Sequence, residues 1–366
     1  MALQSSGQIS LNDIHVEAGG SSGSLAGIND SDIRGLISKS SGAQMSFSEW
    51  YGATAAVDLP IPNSGTNING QSQLQEITVS TYISSGGTLV IPSSMWIWSD
   101  STSTAALTID IPCTIINNGK IIGKGGAGGG TTNVSTTSPT VAQNTGGDGG
   151  MAIKINSGVS GVTITNASGA YIAGGGGGGA GGSTGYLHND SDYYVKAGGG
   201  GGAGGGAGQS SYRKNGDVFY AGGAGGILNA SGGNGGASGG TGATGGGSGG
   251  GGGFSASANA NFGRAGGAGG GGRILPGTGG NGAIDGGVGS NSTGGDGGDA
   301  NSVGANGNGN GGGGGGWGAA GGTSLRTTTS PYSQSTVPGG AGGKAVEDSG
   351  NSYTLNNSGT IYGATT

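Results

Sequence analysis

The side chains best suited to chemistry in this sequence are aromatic and charged residues that interrupt long glycine tracts. Their types favour recognition, because Tyr, Trp and Arg carry much of the binding energy at protein interfaces. Tyr among small, flexible residues is also typical of antibody contact loops. The alternative is that these aromatic residues cover the ends of the glycine tracts. The residues that we predict to contact a ligand are Tyr186, His188, Asp190, Tyr193, Tyr194, Tyr212, Arg213, Phe219, Tyr220, Phe254, Phe262, Arg264 and Trp317.

The sequence gives little support for catalysis or for a metal site. One cysteine, Cys113, and two histidines, His15 and His188, do not make a zinc ligand set. The acidic residues are scattered and include no evident pair for glycoside hydrolysis. We therefore predict a protein that is not an enzyme and that holds no cofactor and no metal.

The composition excludes several classes of protein. Of the 366 residues, 101 are glycine and only 8 are proline, whereas a collagen helix needs abundant Pro and Gly at every third position. A flexible Gly/Ser linker has few hydrophobic residues, but 31% of this chain is hydrophobic. The net charge of −6, without a basic stripe, argues against nucleic-acid binding. No apolar run is long enough to insert in a membrane.

The pentamer Gly-Gly-x-Gly-Gly, in which x is mostly Ala, recurs between residues 125 and 343. Glycine loses more conformational entropy on folding than any other residue, so isolated tracts should be disordered. They can order as extended threefold helices of polyproline-II shape, because bare faces let neighbouring backbones form hydrogen bonds. The single side chain of each pentamer then points to one side. This pattern predicts a polyglycine-II bundle, or sandwich, with exposed loops between its helices.

Two other regions precede the glycine tracts. Residues 1–54 predict short helices capped by Ser10, by Asn29, Asp30 or Ser31, and by a capping box at 46–49. Each is too short to be stable alone, so this module must dock on itself or on a partner. Its start lacks the pattern of a secretory signal, which favours synthesis in a bacterial cytoplasm without Sec export.

Residues 55–124 predict strands, because polar and apolar residues alternate at 76–83, 89–92, 95–98 and 106–112. A motif of strand, Asn-containing turn and strand occupies 114–123 and recurs at 162–174 and 353–363. Repeats of this kind indicate stacked, solenoid-like architecture.

The motif at 115–123, followed by Gly-Gly-Ala-Gly-Gly and repeated glycine tracts, resembles the distal tail-fibre adhesins (receptor-recognition proteins) of T-even-like phages. The resemblance spans residues 88–366. It implies a polyglycine-II sandwich whose loops contact host surface receptors. It also implies that the chain is a virion protein of the tail or fibre.

The segments 5–20 and 46–52 resemble a module at the start of various phage structural proteins. This implies that residues 1–54 attach the chain to other tail or fibre proteins. The module departs from the attachment region of T-even-like phages, so a collar, baseplate or side-fibre position stays open. The predicted anchoring residues are Ile14, Ile33, Leu36, Phe47, Trp50 and Tyr51.

These observations predict a mostly β and irregular chain with three domains. They are a virion-anchoring helical module at 1–54, a strand domain at 55–124, and a glycine-rich domain at 125–366 that ends in a strand pair. The leading hypothesis is an adhesin for a host outer-membrane protein or surface polysaccharide. The alternative is a structural collar, baseplate or decoration protein without receptor binding. An ice-binding protein and a glycan depolymerase are less favoured, because the sequence offers neither a regular Thr/Ala face nor a carboxylate pair.

Overall fold

The computed structural model describes residues 3–37, 39–53, 55–60, 72–130, 145–188, 191–197, 199–208, 211–213, 218–220, 254–255, 265–266, 309–329 and 332–366. Its helices are α1 (Leu11–Glu17) and α2 (Ser31–Gly35), with 3-10 helices at Phe47–Trp50 and Val79–Thr81. The prediction of a mostly β chain with few helices is confirmed. The strands are β1 (Ala56–Asp58), β2 (Ser72–Gln75), β3 (Ile77–Thr78), β4 (Thr88–Ile91), β5 (Met95–Trp98), β6 (Leu107–Ile109), β7 (Thr114–Asn117), β8 (Lys120–Ile122), β9 (Ile153–Ile155), β10 (Val162–Asn166), β11 (Tyr171–Ala173), β12 (Gly182–His188), β13 (Ser191–Ala197), β14 (Ser211–Arg213), β15 (Val218–Tyr220), β16 (Phe254–Ser255), β17 (Ala265–Gly266), β18 (Gly309–Asn310), β19 (Ser324–Thr329), β20 (Tyr332–Val337), β21 (Val346–Glu347), β22 (Tyr353–Asn357) and β23 (Thr360–Tyr362).

The N-terminal module folds around its own small core. Ser10 and Asp13 form a reciprocal capping box at the start of α1, as the sequence predicts. Ile14, Ile33 and Trp50 are fully buried in this core. The Trp50 indole Nε1 donates a hydrogen bond of 3.1 Å to the Ile33 carbonyl, which links the 3-10 helix Phe47–Trp50 to α2. The short helices are therefore held together by tertiary packing rather than by their own propensity.

Three parallel sheets follow, and successive passages of the chain add one strand to each of them. Their strand orders are β1-β4-β7-β10-β22, β2-β5-β8-β11-β23 and β3-β6-β9-β21. Neighbouring strands in all three sheets are parallel. Alternate apolar residues, such as Ile97, Leu107 and Ile115, are fully buried in one core cluster. Period-two alternation along each strand thus builds the core.

One predicted strand is wrong. The alternating stretch 76–83 contributes only β3, at Ile77–Thr78, and then turns into a 3-10 helix at Val79–Thr81. Glu76 has a φ of 49°, so the chain bends sharply between β2 and β3. Ile77, Val79 and Ile83 still enter the core. The alternation of apolar residues here reflects burial at a corner between two sheets. At such a corner the chain cannot continue as one extended strand.

The repeated Asn motif is the best-defined internal repeat of the chain. Its three copies form β7 and β8, β10 and β11, and β22 and β23, stacked in register. Within the stack, Asn117 Nδ2 donates to Asn166 Oδ1 at 2.8 Å, and Asn166 Nδ2 donates to Asn357 Oδ1 at 2.8 Å. Asn117 and Asn166 are fully buried. The motif is therefore a hydrogen-bonded ladder of side-chain amides at the turns, as well as a run of strands.

The glycine tracts pack at backbone contact distance around a central tract, residues 174–180. Every third residue of this tract bonds the same neighbouring segment. Gly175 and Gly178 donate to Gly150 and Gly147 at 2.8 Å each. Bonds from or to the other residues of the tract join it to 126–129, 200–203, 312–315, 319–322 and 340–343. The backbone polar groups of a segment without side chains are thus satisfied by its neighbours.

The non-glycine residue of the pentamer usually lies at the surface of this assembly. Ala127, Asp148 and Ala341 are exposed, whereas Gly126 and Gly128 are buried. A Cβ at Gly128 would lie 1.8 Å from the Gly199 carbonyl oxygen, so only glycine fits there. Ala180 and Ala203, the middle residues of the pentamers at 178–182 and 201–205, are exceptions, since both are fully buried. The prediction that the single side chain points away from the packed faces therefore holds for the outer tracts.

The single cysteine lies in the core of the parallel sheets. Cys113 is only 2% exposed, and burial, with a smaller effect of the Asp110 carboxylate, raises the pKa of its thiol to about 12. Because the thiolate is the reactive form, we expect iodoacetamide at about pH 8 to leave the folded chain unlabelled. The same treatment after unfolding in guanidinium chloride should label it fully, as read by mass spectrometry. Rapid labelling of the folded chain would show that this core opens.

Candidate functional site

Six strands form a mixed sheet that collects most of the residues predicted to contact a ligand. Its order is β15-β14-β13-β12-β19-β20, and only the β12–β19 pair is parallel. We predicted loops between the glycine tracts, and for these segments that prediction is wrong. Segments 182–197 and 324–337 are rich in Tyr, Val and Thr, which favour pleated strands. They therefore pair with one another as strands.

Strand register brings the predicted contact residues from separate segments together. Tyr186 lies opposite Tyr193, and Tyr212 lies opposite Phe219. Arg213 lies opposite Val195 of the neighbouring strand. Because successive residues of a strand belong to opposite faces of the sheet, Tyr212 and Phe219 belong to one face, and Tyr186, Tyr193 and Arg213 belong to the other.

The glycine tracts fix the base of this sheet. Strand β12 continues directly from the central tract, and β19 continues from the tract 319–323. The Ala180 amide donates to the Gly322 carbonyl at 2.9 Å, and these two residues lie two positions before β12 and β19 begin, respectively. Gly179 likewise bonds Gly200, just after β13, at 2.8 Å. Strands distant in sequence therefore leave the same hydrogen-bonded base, and this sets their pairing.

A smaller sheet lies beside the mixed sheet. Its order is β17-β16-β18, and Phe254 pairs with Gly266 and with Asn310. Phe254 therefore lies close to the mixed sheet. Asp190, Phe262 and Arg264, which belong to the predicted contact set, lie outside the described residues.

With this architecture in view, the comparisons with known proteins identify the family. The family described as "Phage tail fibre adhesin Gp38" matches residues 56–248, which is more than half of the chain. The chain belongs to this family of phage tail fibre adhesins. The match includes β1 to β15, and thus eleven of the fourteen strands of the parallel sheets and four strands of the mixed sheet. The resemblance inferred from the Asn motif and the glycine tracts is confirmed.

One solved structure is similar over the full length of both chains. It is described as the crystal structure of the gp37-gp38 adhesin tip complex of the bacteriophage S16 long tail fiber. The sequence identity is 16%, the coverage of each chain is 100% and the TM-score is 0.38, which is too low to establish a shared fold. No curated protein matches the chain.

Trp317 does not lie where the sequence prediction for this adhesin places it. We predicted a ligand contact, but Trp317 is 1% exposed and packs in a cluster with Trp96, Tyr171 and Ala203. This cluster joins one parallel sheet to the glycine tracts, because β5 and β11 supply its rings while Trp317 and Ala203 follow glycine runs. The prediction for Trp317 is corrected on this point: burial of the ring withholds it from a ligand.

A lysine borders the same cluster. Lys120 Nζ lies 4.3 Å from the ring centroid of Trp96 and 5.2 Å from that of Tyr171. Partial burial lowers the pKa of Lys120, since desolvation disfavours its charged form. The aromatic faces offset part of that cost by cation–π attraction. The contact therefore joins the neighbouring strands β5, β8 and β11 on the face of the sheet that holds the aromatic cluster.

The predicted anchoring residues divide into buried and exposed groups. Ile14, Ile33 and Trp50 are fully buried, so their side chains hold the module together and are not available to a partner. Phe47 and Tyr51 are 46% and 36% exposed. Leu36 is partly buried against the same core. Contact with another virion protein through this module would therefore fall to Phe47 and Tyr51.

The described part of the chain contains neither a cluster of metal-ligating side chains nor a membrane-spanning helix. Among those residues, no group of three or more His, Cys, Asp and Glu side chains is arranged to hold a metal ion. No helix among them is long and apolar enough to cross a membrane.

Sequence reasoning missed two cationic residues of the mixed sheet, Lys196 and Arg326. Lys196 lies on β13 and pairs with Ser183 of the neighbouring strand β12. Arg326 lies on β19, which pairs with β12 from 140 residues away in the sequence. Nothing local to Arg326 indicates this pairing, because it depends on how the glycine tracts pack.

Proposed function

We propose that this tail fibre adhesin binds a host cell-surface receptor through its mixed sheet, which is carried on a rigid scaffold of polyglycine-II helices. The observation that carries the proposal is the shared base of the sheet, where hydrogen-bonded glycine tracts bring β12, β13 and β19 together. A rigid base reduces the ordering cost of binding. The proposed contact residues are Tyr186, His188, Tyr193, Tyr194, Tyr212, Arg213, Phe219, Tyr220 and Phe254, together with Asp190, Phe262 and Arg264.

The polyglycine-II part of this proposal rests on the period of the hydrogen bonds. In the central tract, Gly176 and Gly179 donate to Ala203 and Gly200, and Gly177 donates to Ala319. Each partner recurs at a spacing of three residues, as a threefold helix requires. The parallel sheets, for their part, support a short solenoid of stacked coils, which begins in 55–124, continues through β9, β10 and β11, and is closed by the strand pair at 353–363.

The N-terminal module, residues 1–54, is the proposed attachment to other tail or fibre proteins of the virion. Its exposed apolar side chains support this role. Besides Phe47 and Tyr51, the exposed apolar residues of the module include Val16, which is 44% exposed, and Leu25, which is fully exposed. Apolar residues at a surface mark sites of protein contact when they cluster. The adhesin would be made in the host bacterial cytoplasm and function on the virion, without enzymatic activity.

The receptor would be an outer-membrane protein or a surface polysaccharide of the host. We expect the fluorescently labelled full-length chain to bind cells of the propagating host saturably. Replacing Tyr193, Tyr194, Tyr212 and Tyr220 by Ala should weaken that binding by at least about 100-fold, since each interface Tyr contributes about 1 kcal/mol or more. Flow cytometry over a concentration series measures the effect.

Tyr82→Ala is the matched control, because Tyr82 packs against the core of the parallel sheets and lies outside the mixed sheet. It should bind like the unmodified chain, and circular dichroism should confirm that both variants fold. If the well-folded, unmodified chain does not bind the host, the structural role in the virion becomes the better proposal. The question would then be where residues 1–54 dock on the particle.

A further inference from the structure

A groove of about 410 Å³ lies on the N-terminal module, between α1 and the first residues of the chain. Leu3 and Ile9 line it on one side, and Val16 of α1 lines it on the other. Val16 is exposed and Ile9 is half-buried, so an apolar surface is open to a partner there. The volume is at the lower end of the range for ligand sites, and it therefore suits one or two side chains rather than a whole domain.

Hydrogen bonds fix both walls of this groove. The Leu3 amide donates to the Ala53 carbonyl at 2.8 Å, which holds the start of the chain against the end of the module. On the side of α1, the Gly23 amide donates to Asn12 Oδ1 at 2.8 Å. The groove is thus part of the folded module, and a preformed site reduces the ordering cost of binding.

Two carboxylates border the apolar surface. Asp13 and Glu17 also line the groove, and because they lie four residues apart they share one side of α1. Asp13 Oδ2 accepts from the Ser10 amide at 2.9 Å and from the Ser10 hydroxyl at 2.6 Å, and these bonds lower the pKa of Asp13. Glu17 Oε1 accepts from the Ala55 amide at 3.2 Å. Like charges at this spacing repel each other, so the pair favours a cation between them.

The basic residues of the module are engaged elsewhere. Residues 1–54 contain five acidic and two basic residues, a net charge of −3. Arg34 is buried and donates to the Asn29 side chain and, at 3.0 Å, to the Ala43 carbonyl. Lys39 Nζ lies 2.6 Å from Glu49 Oε1. A Lys or Arg that pairs with the groove carboxylates therefore comes from outside the module.

We propose that this groove receives a segment of another virion protein in which a Lys or Arg stands beside apolar residues. The cationic head group pairs with Asp13 and Glu17. Its aliphatic stem and the apolar neighbours pack on Leu3, Ile9 and Val16, since long cationic side chains bury their stems on apolar surface. This inference rests on the proposed attachment of residues 1–54 to the virion, and it specifies the chemistry of the partner.

The first test removes the two charges of the groove. Phage particles grown without this chain are incubated with the fluorescently labelled full-length chain, and the bound label is measured after the particles are sedimented. Asp13→Asn with Glu17→Gln keeps an acceptor oxygen on each side chain but loses both charges, so attachment should weaken by at least about 10-fold. The matched control is Asp30→Asn with Asp32→Asn, which removes two exposed charges at α2, outside the groove, and should attach within about twofold of the unmodified chain.

Circular dichroism establishes that both double variants fold. Unchanged attachment by both would overturn the inference and leave attachment through another surface of the module in place. An equal loss in both would also overturn it, because the overall charge of the module would then act rather than a paired cation. If the unmodified chain does not attach to the particles, the attachment role of the module fails together with the inference.

The second test needs only the unmodified full-length chain, so it stands even if a variant fails to fold. An array of overlapping peptides that covers the tail and fibre proteins of the phage, and this chain itself, is probed with the labelled chain at about 0.1 M and about 1 M salt. The bound peptides should carry Lys or Arg beside apolar residues. Binding should fall at least about 10-fold at the higher salt, because the screening length shortens from about 10 Å to about 3 Å.

Two results of the array would contradict the proposal. Peptides that bind equally at both salt concentrations would show that the groove recognises apolar side chains without a cation. Binding confined to peptides of this chain itself would assign the groove to a second copy or to an internal segment instead of another virion protein.

Discussion

Replacing Gly128 by Ala is expected to unfold the glycine-rich region at temperatures where the unmodified chain is stable. The added Cβ would lie 1.8 Å from the Gly199 carbonyl oxygen and 2.5 Å from its carbon, distances that real Cβ atoms do not adopt. The neighbouring backbone cannot easily move away, since Gly199 donates to the Gly129 carbonyl at 2.8 Å. One methyl group would therefore disturb several tracts at once.

Two opposing effects decide the size of this change. Gly→Ala reduces the entropy of the unfolded chain, which alone stabilises a protein by about 0.4–1 kcal/mol. Overpacking in a close-packed region commonly costs about 1–3 kcal/mol. Because the clash here is with hydrogen-bonded backbone rather than with a flexible side chain, the cost lies at or above the top of that range. The net effect is destabilisation by about 2 kcal/mol or more.

Ala127→Val provides the matched control, one residue away in the same tract. Ala127 is exposed, so this larger addition of volume meets solvent instead of backbone, and we expect a change in stability within about 0.5 kcal/mol. Differential scanning calorimetry and urea unfolding of the full chain compare the two variants. Equal stability of both variants would show that the tracts are not packed at backbone contact.

Much of this architecture is visible in the sequence, because its determinants are local. The Asn motif is recognisable at 114–123, 162–174 and 353–363, and the structure stacks its three copies in register. The capping boxes at Ser10 and Ser46 are likewise local, since each bonds a residue three positions away. Short-range periodicity and capping chemistry are properties that a single stretch of sequence carries in full.

What the sequence hides is long-range pairing. The pairing of β12 with β19 joins residues 183–184 to 326–327, and no periodicity within either segment specifies that partner. The burial of Trp317 likewise could not be predicted from the sequence around it. An aromatic residue between glycine runs suits a contact loop, but packing of distant Trp96 and Tyr171 places it in a core. The faces of the mixed sheet therefore emerge only once the glycine tracts are assembled.

Asn166→Ala is expected to destabilise the stacked repeat more than any other single removal of a side chain from the amide ladder. Asn166 is the middle member, fully buried, and its side chain bonds on both sides. Its Nδ2 also approaches the Thr360 carbonyl at 3.2 Å. The substitution would leave Asn357 Oδ1 without its ladder donor and would deprive Asn117 Nδ2 of its closest acceptor.

The expected cost follows from the two ladder hydrogen bonds that are lost, after which Asn117 Nδ2 keeps only the 3.4 Å bond to the Tyr171 carbonyl. A buried polar group without a partner costs about 1–3 kcal/mol, and members of a hydrogen-bonded network lose more together than singly. We therefore expect a loss of about 2–4 kcal/mol from the free energy of unfolding. Asn118→Ala is the control, because Asn118 lies in the equivalent turn of the neighbouring coil, beside Asn117, but its side chain lies outside the ladder.

Thermal unfolding of the full chain measures both variants, and the pattern of loss separates two views of the ladder. If the amides act as one network, Asn166→Ala and the double variant Asn117→Ala with Asn166→Ala should differ by less than Asn117→Ala costs alone, because the shared bond is already broken. Strictly additive losses would mean that each asparagine acts only through its own turn. In that case the ladder would contribute local turn geometry, such as the 3.1 Å bond from the Gly119 amide to Asn117 Oδ1, rather than cohesion between coils.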